Sequence, residues 1–164
     1  MILKKVLFVC MGNICRSPAA EGVMQHLLKE HKLDQSVRCD SAGTIGFHSG
    51  CPADGRMQSH ARRRGIELLS RSRKFDEQND FDKFDYIVVM DKQNWRDVKK
   101  LDHGNKYADK IFMMTDFCQK RSEKEVPDPY YDGGDGFELV LDIIEDAASG
   151  LLARIKADLE RQST

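Results

Sequence analysis

The sequence has 164 residues, of which 40% are hydrophobic and 32% are charged, and its formal net charge is −1. These values are typical of one soluble globular domain, which we expect to span residues 1–164, and they argue against a nucleic-acid-binding protein, which would be strongly basic. No apolar stretch is long enough for a transmembrane helix, and the apolar run at residues 6–9 is too short for a signal peptide, so we expect a cytoplasmic protein that does not bind membranes.

The first half of the chain alternates predicted strands and helices. Residues 4–9 are predicted to form a strand that is apolar on both faces, as in a central parallel strand. A helix should follow to about residue 31, with Ser17 as its N-cap and Pro18 at its first position. A second strand is predicted over residues 36–42, ending before Gly43. After a loop over residues 43–52, a helix over residues 54–64 should stop at Gly65.

The second half continues the alternation. Residues 84–90 are predicted to form a third strand, and a helix should begin after Asp91. Residues 110–114 are predicted to form a fourth strand. A polar loop over residues 116–134 then leads to a long helix with apolar residues at three- and four-residue steps.

Strands that alternate with helices predict a parallel sheet with helices on both faces. We therefore expect a three-layer α/β/α sandwich around a four-stranded parallel sheet in the flavodoxin-like order 2-1-3-4. Ligands in such folds bind outside the carboxyl ends of the strands. That edge should collect the loop after the first strand, the loop at residues 41–52, Asp91 and the loop at residues 116–134.

The segment after the first strand predicts an anion site. It consists of Cys10, Met11, Gly12, Asn13, Ile14, Cys15, Arg16 and Ser17. Seven consecutive backbone N–H groups can curl around one point there, close to the positive end of a helix and to the charge of Arg16. The competing interpretation is a buried cysteine at the end of a strand, beside an ordinary turn. The preceding strand and the Ser-Pro helix start favour a phosphate-binding loop with Cys10 at its floor.

Such a loop predicts phosphoryl transfer to a cysteine. The N–H groups and Arg16 would stabilise a Cys10 thiolate and bind the phosphoryl oxygens, so no metal or other cofactor is expected. Ser17 can hydrogen-bond the sulfur, cap the helix, or do both. A separate acid is required for the leaving group, and Asp128 is the best candidate because two prolines flank it. A plain Pro-Asp-Pro turn explains Asp128 equally well at this point.

The cysteines and histidines do not predict a metal site. The five cysteines are an odd number without CxxC spacing, so neither a disulfide framework nor a zinc site is indicated. His26 and His31 are five residues apart on a predicted helix and would not share a face as a ligand pair does.

Several motifs together resemble the low-molecular-weight protein tyrosine phosphatase family over nearly the whole chain. The matching pieces are CMGNICRSP at residues 10–18, DSAGT at residues 40–44, the Gly50-x-Pro52-x-Asp54-x-Arg56 pattern, Met90-Asp91, and DPYY at residues 128–131. The loop and the distant DPYY are a specific pair, since a chance C-x5-R would not bring the second motif with it.

The resemblance implies a role for each matching residue. Cys10 would form a cysteinyl-phosphate, Arg16 would bind phosphate, and Asp128 would act as general acid and then as general base. Asn13 would hold the strained loop through hydrogen bonds, with Ser41 among its partners, and Ser17 would stabilise the thiolate. The resemblance further implies that Asp91 is a supporting residue and that Cys15 is a redox partner for Cys10. It also implies an aromatic and apolar cleft beside the phosphate, lined by Met11, Phe47, Tyr130 and Tyr131.

One position departs from the family pattern. Where many members carry a histidine shortly after the Gly65-Ile66 pair, this chain has Ser70. That histidine helps to brace the phosphate loop, so a serine leaves loop rigidity in question, although we expect activity to be retained.

Two other functions compete with phosphatase activity. Arsenate reduction on the same scaffold would require further cysteines after the second helix, and residues 79–90 contain none. A catalytically idle phosphotyrosine-binding module would need neither Cys10 nor Asp128. The expected substrates are therefore phosphotyrosine proteins or small aryl phosphates, and a tyrosine kinase is a possible cognate partner.

Overall fold

A four-stranded parallel sheet forms the centre of the protein in a computed structural model, which describes residues 3–163. The strands are β1 (Lys4–Cys10), β2 (Val37–Gly43), β3 (Tyr86–Val89) and β4 (Ile111–Met113). Their order is β2-β1-β3-β4, and Val9 of β1 pairs with Ala42 on one side and Val89 on the other. The predicted sheet is confirmed. The structure does not describe Met1, Ile2 and Thr164. The predicted domain includes all three, and the signal-peptide argument includes the first two.

Within residues 3–163, five α-helices surround the sheet. They are α1 (Arg16–Glu30), α2 (Gly55–Arg62), α3 (Asp80–Lys83), α4 (Lys92–Leu101) and α5 (Gly134–Ser163). Three short 3-10 turns, at His103–Asn105, Ala108–Lys110 and Met114–Phe117, complete the described chain. The sequence did not predict α3 or these turns, because elements of three or four residues are too short to show a periodicity. Over residues 3–163, every helix is too short or too polar to cross a membrane.

The two faces of β1 point into two separate apolar layers. Val6 and Phe8 pack in a core with residues of α1 and α5, among them Met24 and Leu141. Leu7 and Val9 belong to a second core that contains α3 and α4 residues such as Phe81 and Val98. This alternation explains why β1 is apolar at every position from 6 to 9, and it confirms the three-layer sandwich.

The start of α1 differs from the prediction. Cys15 is at the N-cap position without a capping side-chain hydrogen bond, so Ser17 is the second helical residue and Pro18 the third. Proline is tolerated there because the first N–H groups of a helix have no partner within the helix. The predicted Ser17 cap was wrong, since the Ser17 hydroxyl instead turns toward the sulfur of Cys10, 3.0 Å away.

Candidate active site

The segment from Cys10 to Ser17, hereafter the phosphate loop, curls around the Cys10 sulfur. Asn13 adopts a left-handed backbone conformation with φ of 58°, and its N–H donates to Cys10 Sγ at 3.3 Å. The Asn13 side chain donates to Ser17 Oγ at 2.8 Å. Ser17 Oγ lies 3.0 Å from the Cys10 sulfur, where either atom can be the donor, and its hydroxyl also donates to the Ala42 carbonyl at 3.5 Å.

The carbonyl groups of the phosphate loop are held from outside. The carbonyls of Cys10, Met11 and Ile14 accept hydrogen bonds from the backbone N–H groups of Thr44, Ile45 and Asp54, at 2.9, 3.1 and 2.8 Å. The Ser72 hydroxyl donates to the Gly12 carbonyl at 3.1 Å. A peptide group whose carbonyl faces outward turns its N–H to the opposite side, so these contacts favour N–H groups that point into the loop, as the Asn13 N–H does toward Cys10 Sγ.

The predicted bracing contact between Asn13 and Ser41 is replaced by a different contact of each residue. Asn13 does not use Ser41 as its partner; its Oδ1 accepts from the Arg73 N–H at 2.9 Å. Ser41 instead donates to the buried carboxyl of Glu21 at 2.6 Å, because its hydroxyl points toward α1 rather than toward the loop. Ser70 also hydrogen-bonds Glu21. Burial raises the pKa of Glu21, and the hydrogen bonds from these serines only partly oppose that shift.

Arg16 lies at the mouth of the loop and is held there by its neighbours. Its side chain is only 3% exposed, and Nη1 donates to Asp91 Oδ2 at 2.6 Å and to the Val126 carbonyl at 3.1 Å. Its Nη2 lies 3.6 Å from Asp128 Oδ2. Burial alone would lower the pKa of Arg16, but Cys10, Asp91 and Asp128 together raise it. The guanidinium is therefore a permanent positive charge at the rim of the loop.

Asp128 and an apolar rim complete a cleft above Cys10. Oδ1 of Asp128 accepts from the Tyr130 N–H at 3.1 Å, which leaves Oδ2 on the side of Arg16. The rim side chains are largely exposed, as Phe47 at 82% and Tyr131 at 94% show. The residues lining the cleft include all the predicted cleft positions together with Ile14, Ile45 and His48.

Comparisons with known proteins identify the family of the chain. The profile of the Low molecular weight phosphotyrosine protein phosphatase family matches residues 5–161. The chain belongs to this family. A low molecular weight protein-tyrosine-phosphatase of Streptomyces coelicolor is 37% identical over 95% of this chain and 96% of its own, and a human relative is 38% identical over 84% and 86%. A crystal structure of a protein tyrosine phosphatase from Entamoeba histolytica has 45% identity and a TM-score of 0.91, covering 94% of this chain and 98% of that one.

Cys15 is the second cysteine in the phosphate loop of this phosphatase. Burial raises its pKa to about 12, and the nearby groups Asp54, Cys10 and Asp128 contribute in the same direction. Cys15 is therefore a neutral thiol at physiological pH. Across residues 3–163, no group of three or more histidine, cysteine or acidic side chains has the geometry of a metal site.

Sequence reasoning did not find four residues that shape the site. Ser72 and Arg73 brace the phosphate loop, while Ile45 and His48 line its cleft. The first two lie sixty residues from the atoms they contact and have no distinctive spacing. His48 could have been recognised as a cleft residue, because it follows Phe47 in a loop that the predicted topology already brought to the sheet edge.

Proposed function

We propose that this protein hydrolyses phosphotyrosine and small aryl phosphates through a cysteinyl-phosphate intermediate. The observation that supports this best is the position of the Cys10 sulfur. It lies at the floor of an inward-facing N–H ring, with Arg16 and Asp128 side by side at the mouth. Anion binding alone explains the N–H ring and Arg16. Cleavage of a phosphate ester also explains why the Cys10 thiol and the Asp128 carboxyl lie on opposite sides of the proposed phosphate position.

In the first step, the Cys10 thiolate attacks phosphorus, so that an S–P bond forms and the P–O bond to the aryl group breaks. The aryl oxygen takes the electron pair of the broken bond and a proton from Asp128. The loop N–H groups and Arg16 stabilise the charge on the three remaining phosphoryl oxygens.

In the second step, Asp128 accepts a proton from water, and the water oxygen attacks phosphorus. The S–P bond breaks and its electron pair returns to Cys10, which the Ser17 hydroxyl stabilises by hydrogen bonding. The products are a phenol and inorganic phosphate. Neither step needs a metal or other cofactor.

The apolar rim supports an aromatic substrate. Met11, Phe47, Tyr130 and Tyr131 offer a slot for a phenyl ring beside the phosphate loop. Phosphotyrosine proteins in the cytoplasm, together with a kinase that makes them, are accordingly the proposed partners of a single phosphatase domain over residues 1–164. Nucleic acids and membranes are not proposed as partners.

The two loop cysteines support a redox guard for the nucleophile. Peroxide would oxidise the Cys10 thiolate to a sulfenic acid. The Cys15 sulfur would then attack the sulfenic sulfur, so that an S–S bond forms, the S–O bond breaks, and the hydroxyl leaves with the thiol proton as water. Because a thiol reductant restores both cysteines, the intermediate protects Cys10 from irreversible oxidation.

The test is hydrolysis of p-nitrophenyl phosphate in the presence of a chelator, with Cys10→Ser and a control, Cys51→Ser, which replaces an exposed cysteine. The parent and the control should be active with the chelator and inhibited by vanadate. Cys10→Ser should lose all turnover while still binding phosphate. Residual turnover above about 1% of the parent would reject Cys10 as the nucleophile, because loss of a covalent nucleophile costs orders of magnitude.

Two more assays test Asp128 as the general acid and the arsenate reductase alternative. Asp128→Ala should slow phenyl phosphate far more than p-nitrophenyl phosphate, since the poorer leaving group depends more on protonation. An equal effect on both substrates would mean that Asp128 is structural. Arsenate supplied with thioredoxin should not be reduced, and reduction would favour the arsenate reductase alternative.

A further inference from the structure

The segment that carries Asp128, residues 127–133 and hereafter the acid loop, is fixed at both ends. At its start, the Val126 N–H donates to the Met90 carbonyl at 2.8 Å, and the Val126 carbonyl accepts from Arg16. Beyond its end, Phe137 of α5 is buried. Most of the loop between these anchors is exposed. Its own backbone hydrogen bonds, as far as residues 3–163 show, stay within residues 127–136. Side-chain contacts therefore hold its middle, and one of them joins Asp128 to Arg16, 3.6 Å apart.

Arg56 of α2 makes such a contact. Its guanidinium carbon lies 5.3 Å from the centre of the Tyr130 ring and 4.9 Å from the centre of the Phe137 ring. Tyr130 is two residues from Asp128, and its N–H donates to the Asp128 carboxylate. One guanidinium therefore joins the middle of the acid loop to the first turns of α5.

Arg56 is itself held in a fixed orientation. Its Nε and Nη2 donate to Asp54 at 3.1 and 2.8 Å, and the backbone N–H of Arg56 donates to the same carboxylate at 2.8 Å. The hydrogen bonds from the Arg56 side chain lower the pKa of Asp54, so that the pair is ionised at neutral pH. An isolated surface ion pair would contribute little, but this pair sets the plane of a guanidinium that two rings contact.

The ion pair is also connected to the phosphate loop. The N–H of Asp54 donates to the Ile14 carbonyl at 2.8 Å, so the residue that orients Arg56 is bonded to the backbone beside the nucleophile. A continuous series of contacts thus runs from the phosphate loop through Asp54, Arg56 and Tyr130 to Asp128.

We propose that Arg56 is a positioning residue that holds the acid loop at a fixed position relative to the phosphate loop, so that the Asp128 carboxyl stays above Cys10. This inference rests on the proposed function, in which Asp128 protonates the leaving group. Arg56 touches neither the phosphate nor the reacting atoms, and it acts through Tyr130.

The first test compares Arg56→Ala with Arg56→Lys and with Arg62→Ala. Arg62 is a matched control, because it is an exposed arginine on the same helix whose side chain bonds only Gln58 among the described residues. Arg56→Ala should lower kcat for phenyl phosphate about fivefold, since an exposed cation–π contact contributes roughly that factor. It should change kcat for p-nitrophenyl phosphate less and leave phosphate inhibition unchanged. Arg56→Lys should fall between, because lysine keeps the charge but lacks the planar fork.

A double-mutant cycle tests whether Arg56 acts through Asp128. In the Asp128→Ala background, Arg56→Ala should have no further effect on phenyl phosphate hydrolysis. A fivefold loss that persists in that background would overturn the proposal, as would an equal loss for both leaving groups or the same loss in Arg62→Ala.

A readout without turnover separates this inference from the proposed function. Chymotrypsin cleaves after tyrosine, so Arg56→Ala should increase cleavage after Tyr130 and Tyr131 several-fold under native conditions, whereas Arg62→Ala should match the parent. Unchanged cleavage in Arg56→Ala would overturn the positioning role whether or not the parent hydrolyses aryl phosphates. An inactive parent whose cleavage responds as expected would overturn the phosphatase proposal and leave the loop contact supported.

Discussion

Asp91 performs two tasks with its two carboxylate oxygens, and a single substitution can separate them. Oδ2 accepts from Arg16 at 2.6 Å, whereas Oδ1 accepts from the Asn94 N–H at 2.7 Å and caps α4. Asparagine has one acceptor oxygen and one donor NH2 group in the same space. In Asp91→Asn, the amide oxygen can keep the bond to the Asn94 N–H that caps α4. The NH2 group would then face the guanidinium of Arg16, and two donor groups cannot form a hydrogen bond with each other.

The expected loss follows from the hydrogen bond that Asp91→Asn removes. A hydrogen bond to a charged partner contributes about 1.5 to 3 kcal/mol, and Arg16 is nearly fully buried. Because that bond orients Arg16 for phosphate, kcat/KM for p-nitrophenyl phosphate should fall about 10- to 150-fold, with a matching loss of phosphate affinity. Asp91→Ala should show the same kinetic loss and a further decrease of about 1 kcal/mol in the free energy of unfolding, because it also removes the cap.

Steady-state kinetics, phosphate inhibition and urea unfolding would be measured on the parent, the two Asp91 variants and a control. Glu125→Gln is the matched control, since Glu125 accepts from the Lys92 N–H at the same helix start and has no described contact with Arg16. The reasoning would be refuted if Asp91→Asn kept kcat/KM within twofold of the parent, or if Glu125→Gln lost as much activity as Asp91→Asn.

Two further predictions concern stability. Burial raises the pKa of Glu21, whose carboxyl accepts from Ser41. The stability that the neutral Glu21 carboxyl contributes is fully present below the pKa of Glu21 in the unfolded chain, and it is lost as pH rises through the pKa of Glu21 in the folded protein. Urea unfolding should therefore show Glu21→Gln gaining stability relative to the parent as the pH is raised from about 4 to about 8. A pH-independent difference would contradict this. Gly150→Ala should destabilise the protein by about 3 kcal/mol, because the added β-carbon would lie 1.8 Å from the Phe117 carbonyl oxygen. Gly55→Ala, with open space around the added β-carbon, should change stability by less than about 1 kcal/mol. Equal melting temperatures for the two variants would reject the clash.

The parts of the fold that the sequence predicted are those in which one physical requirement governs several neighbouring residues. Residues 6–9 must all be apolar because both faces of β1 are covered, and α5 must repeat its apolar residues because one side packs against the sheet. The positions of Cys10, Asp91 and the acid loop then follow from topology, since the carboxyl ends of parallel strands share one edge. Their spacing along the chain was not needed for that argument.

The end of a helix is harder to predict, as Ser17 shows. Serine before proline is a good helix start by propensity, yet the structure begins α1 at Arg16 and turns the Ser17 hydroxyl to the Cys10 sulfur. The anion site requires N–H groups that point into the loop, and a capping side chain would occupy one of them. A functional requirement therefore overrides the local preference at this residue.

The bracing of the phosphate loop could not be read from the position of one residue. Ser70, at the position where the family resemblance predicted a histidine, hydrogen-bonds Glu21. Two residues further on, the Ser72 hydroxyl holds the Gly12 carbonyl, and the Arg73 backbone N–H holds the Asn13 side chain. The second of these donors is a main-chain group that every non-proline residue possesses, so no side-chain pattern at position 73 could have indicated it. These two hydrogen bonds come from residues 72 and 73, and neither of them involves position 70.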